Sequence, residues 1–372
     1  MTYCARCITP DTRPHLTLDD EGVCNACRAF ETRPAIDWAA RASAFAGVVA
    51  HSRVRSTGYD CVIPVSGGKD STWQVVTCLE HGLNPLAVTW KTPGRTGLGA
   101  RNLENLVALG VDHIDYQINP TVERVFMLEA FRRYGSTAIP MHMAIFNIPV
   151  TVAVRFGIPL VVWGENSAFE YGGTEEERTG FRMDGRWLKH YGVTHGTTAS
   201  DWVSETLSAR ALTAYRGPDE AELAAAGVAG VFLGYYFEWD PERSLAVARA
   251  HGFHSRAEGP KTGYYDYADI DDEFISIHHY LKWYKFGFTR LFDNLSLEIR
   301  HGRMSRDEAI AIVRAGGDQC PDGDIDAFCR FAGVARADFF AIAEQFRNPE
   351  VWTRRDGRWM IDGFLVPDWS WS

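Results

Sequence analysis

Short apolar runs alternate with longer amphipathic stretches through the middle of the chain. The runs of strand length are residues 61–65, 86–90, 113–116, 160–163 and 230–235. The stretches with helical spacing are residues 71–81, 102–110 and 122–157. Alternation of this kind indicates right-handed βαβ units. We therefore predict an α/β fold, with a doubly wound parallel sheet that carries helices on both faces.

The two ends of the chain differ from the middle in composition and in hydrophobic periodicity. Residues 1–35 are rich in Cys, Pro, Gly, Asp and Asn without periodicity, which is typical of a small loop-rich module, and residues 36–51 read as an amphipathic linker helix. From residue 271 the pattern is mainly helical, with a capping box at Ser305 and Glu308. We predict three parts: an N-terminal module (1–35), an α/β domain (36–255) and a helical C-terminal region (256–372).

Composition narrows the class of protein. The 372 residues are 46% hydrophobic and 23% charged, as in a globular enzyme, and the net charge of −10 argues against an extended nucleic-acid surface. A cysteine pair follows Met1 almost at once, with no basic and apolar leader, so we expect a cytoplasmic protein without a membrane span. Grouped cysteines in a reducing compartment indicate a metal site.

The cysteine spacing defines that metal site. Cys4-x-x-Cys7 and Cys24-x-x-Cys27 are two pairs separated by sixteen residues. Four thiolates close a tetrahedral Zn²⁺ shell and leave no open position, so we expect a structural zinc ion. An iron–sulfur cluster on the same residues is the alternative. We expect the other four cysteines, Cys61, Cys78, Cys320 and Cys329, to be buried apolar residues.

A glycine-rich loop follows the first predicted strand and opens the first predicted helix of the sheet. It comprises Ser66, Gly67, Gly68, Lys69, Asp70 and Ser71. Two glycines let backbone amides approach phosphate, and the helix N-terminus favours an anion. Lys69 adds a positive charge and Asp70 is a ligand for Mg²⁺. The spacing matches neither a Walker loop nor a dinucleotide fingerprint. It resembles the PP-loop of ATP pyrophosphatases, which implies ATP as cosubstrate.

A second element lies at the carboxyl end of the fourth predicted strand, where ligands bind in a doubly wound sheet. Here Glu165 is a candidate for completing Mg²⁺ coordination and Asn166 for binding substrate or nucleotide. Glu170 and Tyr171, beside two glycines, are candidates for reading the acceptor or for acid–base work. For Glu165, a plain surface carboxylate is the alternative.

Candidates for the acceptor side lie further along the chain. His278, Lys282 and Lys285 share one helix face and would hold a phosphate or pyrophosphate, with Arg290 nearby in sequence. A solvated basic face or a core histidine is the alternative reading, and the sequence assigns no role to His279. His142 is a candidate general base for the incoming nitrogen, with a satisfied helix histidine as the alternative. The aromatic run at residues 264–267 is expected in the core.

Together these motifs resemble the N-acetyl sugar amidotransferase family over almost the whole chain. The matching stretches are residues 3–7, 10–14, 22–27, 65–71, 163–166, 170–173, 232–236, 285–288 and 296–300. The resemblance implies adenylation of the acetamido oxygen of a nucleotide-activated sugar and its replacement by ammonia, in surface-polysaccharide or flagellin-sugar pathways. It also implies that a separate glutaminase and a synthase-like subunit, resembling the histidine-pathway pair, supply the ammonia.

Two other functions fit parts of the sequence. A sulfur-inserting enzyme acting on tRNA or a small molecule would share the loop and the cysteine pairs, but it usually needs further paired cysteines. A non-catalytic scaffold that binds ATP would share the loop alone. Since no glutaminase-like segment is visible in the sequence, we expect glutamine alone not to support the reaction.

Overall fold

A computed structural model describes residues 1–32, 35–164 and 193–371. Its main sheet has five parallel strands in the order β3-β2-β1-β4-β5. The strands are β1 (Cys61–Pro64), β2 (Pro85–Trp90), β3 (Asp112–Tyr116), β4 (Leu160–Trp163) and β5 (Ala229–Phe232). The order reverses beside β1, which makes the sheet doubly wound, as the sequence predicts.

Helices cover both faces of this sheet. The helices associated with the first four strands are α3 (Lys69–Glu80), α4 (Gly97–Val107), α5 (Pro120–Tyr134) and α6 (Ala138–Phe156). Alternate strand residues point to opposite faces, so Ile63 and Val162 join one buried cluster while Val62 and Val161 join the other. The apolar runs of β1 and β4 are therefore continuous because both faces are covered.

The helical stretch predicted over 122–157 is two helices. α5 ends at Gly135, which has a left-handed backbone (φ 57°) that glycine adopts without strain. α6 then contacts β1, β2 and β4. By length and composition α6 is apolar enough to cross a membrane, but half of the residues in that test are buried in the protein. Its packing is that of a core helix under the sheet.

The run at 230–235 is shorter as a strand than the pattern predicts. β5 ends at Phe232, and the short helix α8 (Leu233–Tyr236) begins at once. It is preceded by α7 (Glu220–Ala226) and followed by α9 (Pro241–Ala250). Between α6 and α7, the described residues from 193 onward form two short 3-10 turns, Ala199–Trp202 and Thr213–Tyr215.

The C-terminal region is mainly helical, as predicted. It contains α10 (Ile275–Phe286), α11 (Arg290–Arg300), α12 (Arg306–Gly316), α13 (Asp322–Ala332) and α14 (Arg336–Glu344). The capping box at Ser305 and Glu308 is present. An antiparallel hairpin of β6 (Trp352–Arg355) and β7 (Arg358–Ile361) completes the region. The sequence analysis missed this hairpin, although Asp356-Gly357 is a strong turn signal.

The N-terminal module packs on the C-terminal region. It carries one short helix, α1 (Asn25–Glu31), and α2 (Trp38–Arg55) then leads to the sheet. The hydroxyl of Thr9 donates to Ser296 Oγ on α11 at 2.8 Å, and the hydroxyl of Thr12 donates to the Phe286 carbonyl oxygen at 2.6 Å. The first and last parts of the described chain therefore form one packed unit, with α11 between the module and the sheet domain.

Candidate active site and metal centre

The glycine-rich loop lies at the carboxyl end of β1 and leads directly into α3. Gly67 has a left-handed backbone (φ 88°), and a Cβ there would lie 2.6 Å from the Leu103 backbone nitrogen. Only glycine fits this contact with α4. Gly68 is the N-cap of α3 and has no side chain to satisfy the helix amides. The amides at this end are therefore available to an anionic ligand.

Hydrogen bonds fix the loop from within. The Ser66 N–H donates to Ser71 Oγ at 3.1 Å, and the Gly68 N–H donates to Ser66 Oγ at 3.3 Å. Lys69 Nζ lies 2.6 and 2.7 Å from the two carboxylate oxygens of Asp70. The structure thus brings all six predicted loop residues together around one anion-sized turn.

Two cavities meet at Ser66. The smaller, of about 180 Å³, is bounded by Gly68, Lys69 and Asp70 on one side and by Arg290 of α11 on the other. The larger, of about 410 Å³, extends from Ser66 along the ends of β2 and β4 to His142. The two cavities share Ser66, Asp269 and Asp271 in their walls.

Aromatic residues around the smaller cavity were not predicted. The Trp239 indole N–H donates to Asp70 Oδ1 at 2.9 Å, and Lys69 Nζ lies 5.2 Å from the Trp239 ring centroid. Tyr267 lies on another side, 5.5 Å from the same Nζ, and Tyr265 also lines the cavity. The expectation that the run at 264–267 is core was therefore wrong: Tyr264 is exposed, and Tyr265 and Tyr267 line the cavity. Their spacing in sequence does not distinguish a cavity wall from a core.

An acidic turn between α9 and α10 was also missed. Burial raises the pKa of Asp271, whose carboxylate accepts a hydrogen bond from the Ser66 side chain. Burial likewise raises the pKa of Asp272 to about 7. Burial opposes ionisation of Asp269 as well, but its interactions with His279 and Arg290, with a hydrogen bond from Thr262, outweigh burial and hold the pKa of that carboxyl below its usual range. The three carboxyl groups of this turn thus differ in how readily they ionise, and Asp271 contacts the glycine-rich loop at Ser66.

A further buried carboxyl lies behind the larger cavity. Glu123 of α5 is 1% exposed, and its Oε1 accepts a hydrogen bond from the Trp90 indole at 2.7 Å. Burial raises the pKa of Glu123 to about 7, and the charge of Asp272 adds to the rise although the Trp90 hydrogen bond opposes it. Glu123 therefore keeps its proton to a higher pH than an exposed glutamate does.

The three residues predicted for the acceptor side lie on α10. Lys282 Nζ lies 3.2 Å from Asp293 Oδ2, and burial followed by the charge of Lys282 lowers the pKa of Lys285 to about 8. His278 lies beside His142 of α6, with ring centroids 6.0 Å apart. His278 therefore lies next to the larger cavity, beside His142. Lys282 and Lys285 follow it along α10.

The two neighbouring histidines on α10 have different surroundings. His279 Nε2 lies 3.4 Å from Asp269 Oδ2, and burial lowers the pKa of His279 to about 4. Burial also lowers the pKa of His278 well below its ordinary value. Neither His278 Nδ1 nor His279 Nδ1 has a hydrogen-bond partner among the described residues. Both rings are therefore neutral at physiological pH.

Three predicted site residues, Glu165, Asn166 and Glu170, lie outside the described residues, as does Tyr171. The residues directly before them are described. Trp163 and Gly164, at the end of β4, line the larger cavity. The chain therefore enters that segment from the wall of the candidate site.

The four predicted metal ligands form a buried cluster. The Sγ atoms of Cys4 and Cys27 are 3.9 Å apart, and those of Cys7 and Cys24 are 3.8 Å apart. Tetrahedral coordination with metal–sulfur bonds of about 2.3 Å places sulfur atoms about 3.8 Å apart. The cluster therefore fits a tetrahedral metal ion. Of the other four cysteines, Cys61, Cys78 and Cys329 are buried as expected and Cys320 is partly exposed.

Groups around the cysteine cluster suit thiolate ligands. Backbone N–H groups of Cys24 and Arg6 donate to Cys4 Sγ at 3.2 and 3.4 Å. Arg300 of α11 lies beside the cluster. Burial opposes its charge, but the thiols of Cys7, Cys27 and Cys24 outweigh burial and raise the pKa of Arg300 above its usual value. Such outer groups stabilise a negatively charged metal–thiolate unit.

This fold and site define a doubly wound α/β protein with a glycine-rich loop at the carboxyl end of β1, a buried four-cysteine cluster that fits a metal ion and a helical C-terminal region. Residues 258–363 match the family model described as LPS biosynthesis protein WbpG-like, C-terminal domain. The chain therefore carries a WbpG-like C-terminal domain, which supports the family resemblance drawn from the motifs.

Comparison with other known proteins adds little. Among solved structures the chain is similar to NMN synthetase from Francisella tularensis, with 12% sequence identity over 72% of this chain and 94% of that chain. The TM-score is 0.32, and we draw no argument from this similarity. No curated protein matches the chain.

Cys24→Ser should remove the bound metal and lower the melting temperature, because metal coordination and local folding of such a module are coupled. Metal content by elemental analysis and thermal unfolding would measure both effects. Cys320→Ser, at a partly exposed cysteine outside the cluster, is the matched control and should retain the metal. A Cys24→Ser protein with a full equivalent of metal would contradict the assignment.

Glu123→Gln should change how stability depends on pH. The folded protein raises the pKa of Glu123 from 4.5 to about 7, so this group's contribution is present below about pH 4 and is lost as pH rises through 7. A shift of this size corresponds to about 3 kcal/mol. Gln keeps an oxygen for Trp90 but cannot ionise. The variant should therefore gain stability relative to the wild type at pH 8 compared with pH 5.

Urea unfolding at pH 5 and pH 8 would measure this difference. The exposed Glu104, changed to Gln, is the control and should show the same effect at both pH values. If Glu123→Gln also shifts stability equally at the two pH values, Glu123 does not titrate as its surroundings indicate.

Proposed function

We propose that this chain is an ATP-dependent amidotransferase. It would adenylate the acetamido oxygen of a nucleotide-activated N-acetyl sugar and replace that oxygen with ammonia, giving an acetamidino group, AMP and pyrophosphate. The observation that carries the proposal is the Ser66–Ser71 loop with a cavity on each side. In the proposed reaction the bond between the α- and β-phosphates of ATP breaks. The two cavities would hold the groups on either side of that bond.

The smaller cavity suits the β- and γ-phosphates of ATP. The amide end of α3, Lys69 and Arg290 all border it, and each favours an anion. Asp70 and Asp271 supply carboxylate oxygens, the ligands that Mg²⁺ prefers. Bound Mg²⁺ would neutralise phosphate charge. Glu165 remains a candidate for completing its coordination, and Asn166 for binding the nucleotide.

The larger cavity suits the nucleoside and the reacting amide. The amide oxygen would attack the α-phosphorus, forming an O–P bond while pyrophosphate leaves. Ammonia would then add to the imidate carbon, and AMP would leave with the former amide oxygen as the added nitrogen loses a proton. An amide oxygen is a very poor leaving group. Once it is bonded to the α-phosphorus it leaves easily, because it then departs as part of AMP.

We propose that His142 takes that proton. It lines the larger cavity, and its Nδ1 lies 2.8 Å from the Ala138 carbonyl oxygen, which can only accept a hydrogen bond. Nδ1 therefore carries the hydrogen and Nε2 is the basic atom. Burial lowers the pKa of His142, so the ring is neutral and able to act as a base.

The basic face on α10 suits the anionic handle of the sugar nucleotide. His278 adjoins His142, and Lys282 and Lys285 follow at helical spacing. We assign Lys285 and Glu170 to the acceptor side as candidate catalytic residues. The metal of the cysteine module is proposed to be structural zinc, because the four sulfur ligands leave no open position.

A separate glutaminase with a synthase-like subunit is the proposed ammonia source, and the cytoplasm the proposed location. The rival sulfur-transfer reaction finds no support at the site. None of the described residues lining the two cavities is a cysteine that could carry a persulfide.

The reaction itself is tested by incubating the protein with nucleotide-activated N-acetyl sugars, ATP, Mg²⁺ and ammonium. We expect a product one mass unit lighter than the sugar nucleotide, formed with stoichiometric AMP, and detected by mass spectrometry. Glutamine without ammonium should give no product. AMP formation and product should both be lost in Lys69→Ala. Thiolated product from a sulfur donor, or no AMP with any acceptor, would overturn the proposal.

Gly67→Ala should abolish ATP binding while far-UV circular dichroism shows a folded protein. A Cβ at this position meets the Leu103 backbone and forces the loop to move. Gly47→Ala is the matched control: its Cβ has nothing within 4 Å in α2, so alanine should stabilise the helix by up to about 1 kcal/mol. Calorimetric titration with a non-hydrolysable ATP analogue would measure the ATP-site affinity of both variants. Equal affinity in both variants would contradict the loop's role.

A further inference from the structure

One carboxylate on α11 connects the cysteine module to the acceptor face. Asp293 is 4% exposed and lies between two cations. Arg13 Nε of the module donates to its Oδ1 at 2.8 Å, and Lys282 Nζ of α10 donates to its Oδ2 at 3.2 Å. A buried carboxylate requires such partners, and here they come from parts of the chain remote in sequence.

The cysteine module fixes the position of Arg13. The Arg13 backbone N–H donates to the Pro10 carbonyl oxygen at 3.1 Å, and this hydrogen bond closes a turn shortly after Cys7. Thr12 is tied to the end of α10, and Thr9 is tied to α11 at Ser296. The turn that carries Arg13 is therefore held between the metal cluster and the two helices of the acceptor face.

The ion group has an excess of positive charge. Arg13 and Lys282 share one carboxylate, the charge of Arg290 acts on it as well, and Lys285 lies one helical turn further on. Without Arg13, Asp293 and Lys282 would form a neutral pair, and the Lys282 ammonium would be drawn onto the carboxylate. The affinity of the face for an anion would then fall.

We propose that Arg13 is a positioning residue of the acceptor site and that the cysteine module thereby helps to bind the diphosphate of a nucleotide-linked acceptor. Arg13 shares the Asp293 carboxylate with Lys282, so that the charge of Lys282 is not fully neutralised and can still attract the anion. The inference rests on the proposed function for the identity of the acceptor, but its test measures binding and does not require turnover.

The test is titration calorimetry with UDP and GDP as probes, with the ATP site filled by a non-hydrolysable ATP analogue. Arg13→Ala should weaken binding of the better probe roughly tenfold, as expected for the loss of one cation from a half-buried anion site. Arg13→Lys should restore part of this affinity. Metal content and affinity for the ATP analogue should stay unchanged in both variants.

Arg6→Ala is the matched control. Arg6 lies on the same module, its side chain is 59% exposed, and it pairs with Glu31 away from α11. This variant should bind the probe like the wild type. Equal probe affinity in Arg13→Ala, an equal loss in Arg6→Ala, or no probe binding by the wild type would overturn the inference. Absence of amidine product beside normal probe binding would count against the proposed reaction alone.

Discussion

The burial of charge on α11 is the constraint on which this molecule depends. All but the ends of this helix are buried, and the buried part includes Asp293 and Glu298. A charge removed from water is tolerated only beside opposite charge and hydrogen-bond donors. Arg303 donates to Glu298, and Arg13 and Lys282 donate to Asp293. Arg303 directly follows α11, whereas Lys282 comes from α10 and Arg13 from the cysteine module, so the burial of Asp293 depends on contacts with both of these segments.

The same helix, α11, borders the smaller cavity, the basic face of α10 and the cysteine module. Arg290 borders the phosphate-sized cavity, Asp293 organises the basic face, Ser296 receives the cysteine module and Arg300 balances the thiols. These positions follow one another at intervals of three or four residues, but they face three different neighbours. The helix therefore sets the distances between loop, basic face and metal cluster.

Local patterns predicted much of this architecture. The strands at residues 61, 86, 113 and 160, the loop at Ser66–Ser71 and the capping box at Ser305 all depend on nearest neighbours in sequence, and all were found. The same holds for the four-cysteine cluster, whose spacing alone specifies convergence on one ion. The hairpin at Asp356-Gly357 carries an equally local turn signal, but its strands are only four residues each and lie in a mainly helical region, so the surrounding pattern predicts helix.

What could not be predicted depends on contacts between distant segments. Nothing near Tyr267 in sequence indicates that it faces Lys69, and Asp271 gives no sign that it meets Ser66. Arg13 reads as part of a loop beside the cysteines, and its role becomes visible only when Asp293 and Lys282 are seen beside it. Roles in this site are set by tertiary neighbours, whereas residue types and spacings specify only the loop and the metal cluster.

The docking of the cysteine module also has a kinetic consequence. The four cysteines lie within the first 27 residues, so a metal ion can order them as soon as that segment has left the ribosome. The contacts that seat the module span 287 residues from Thr9 to Ser296 and 280 from Arg13 to Asp293. During synthesis these contacts cannot form until Asp293 and Ser296 have been made. The module therefore precedes by most of the chain the helix on which it packs.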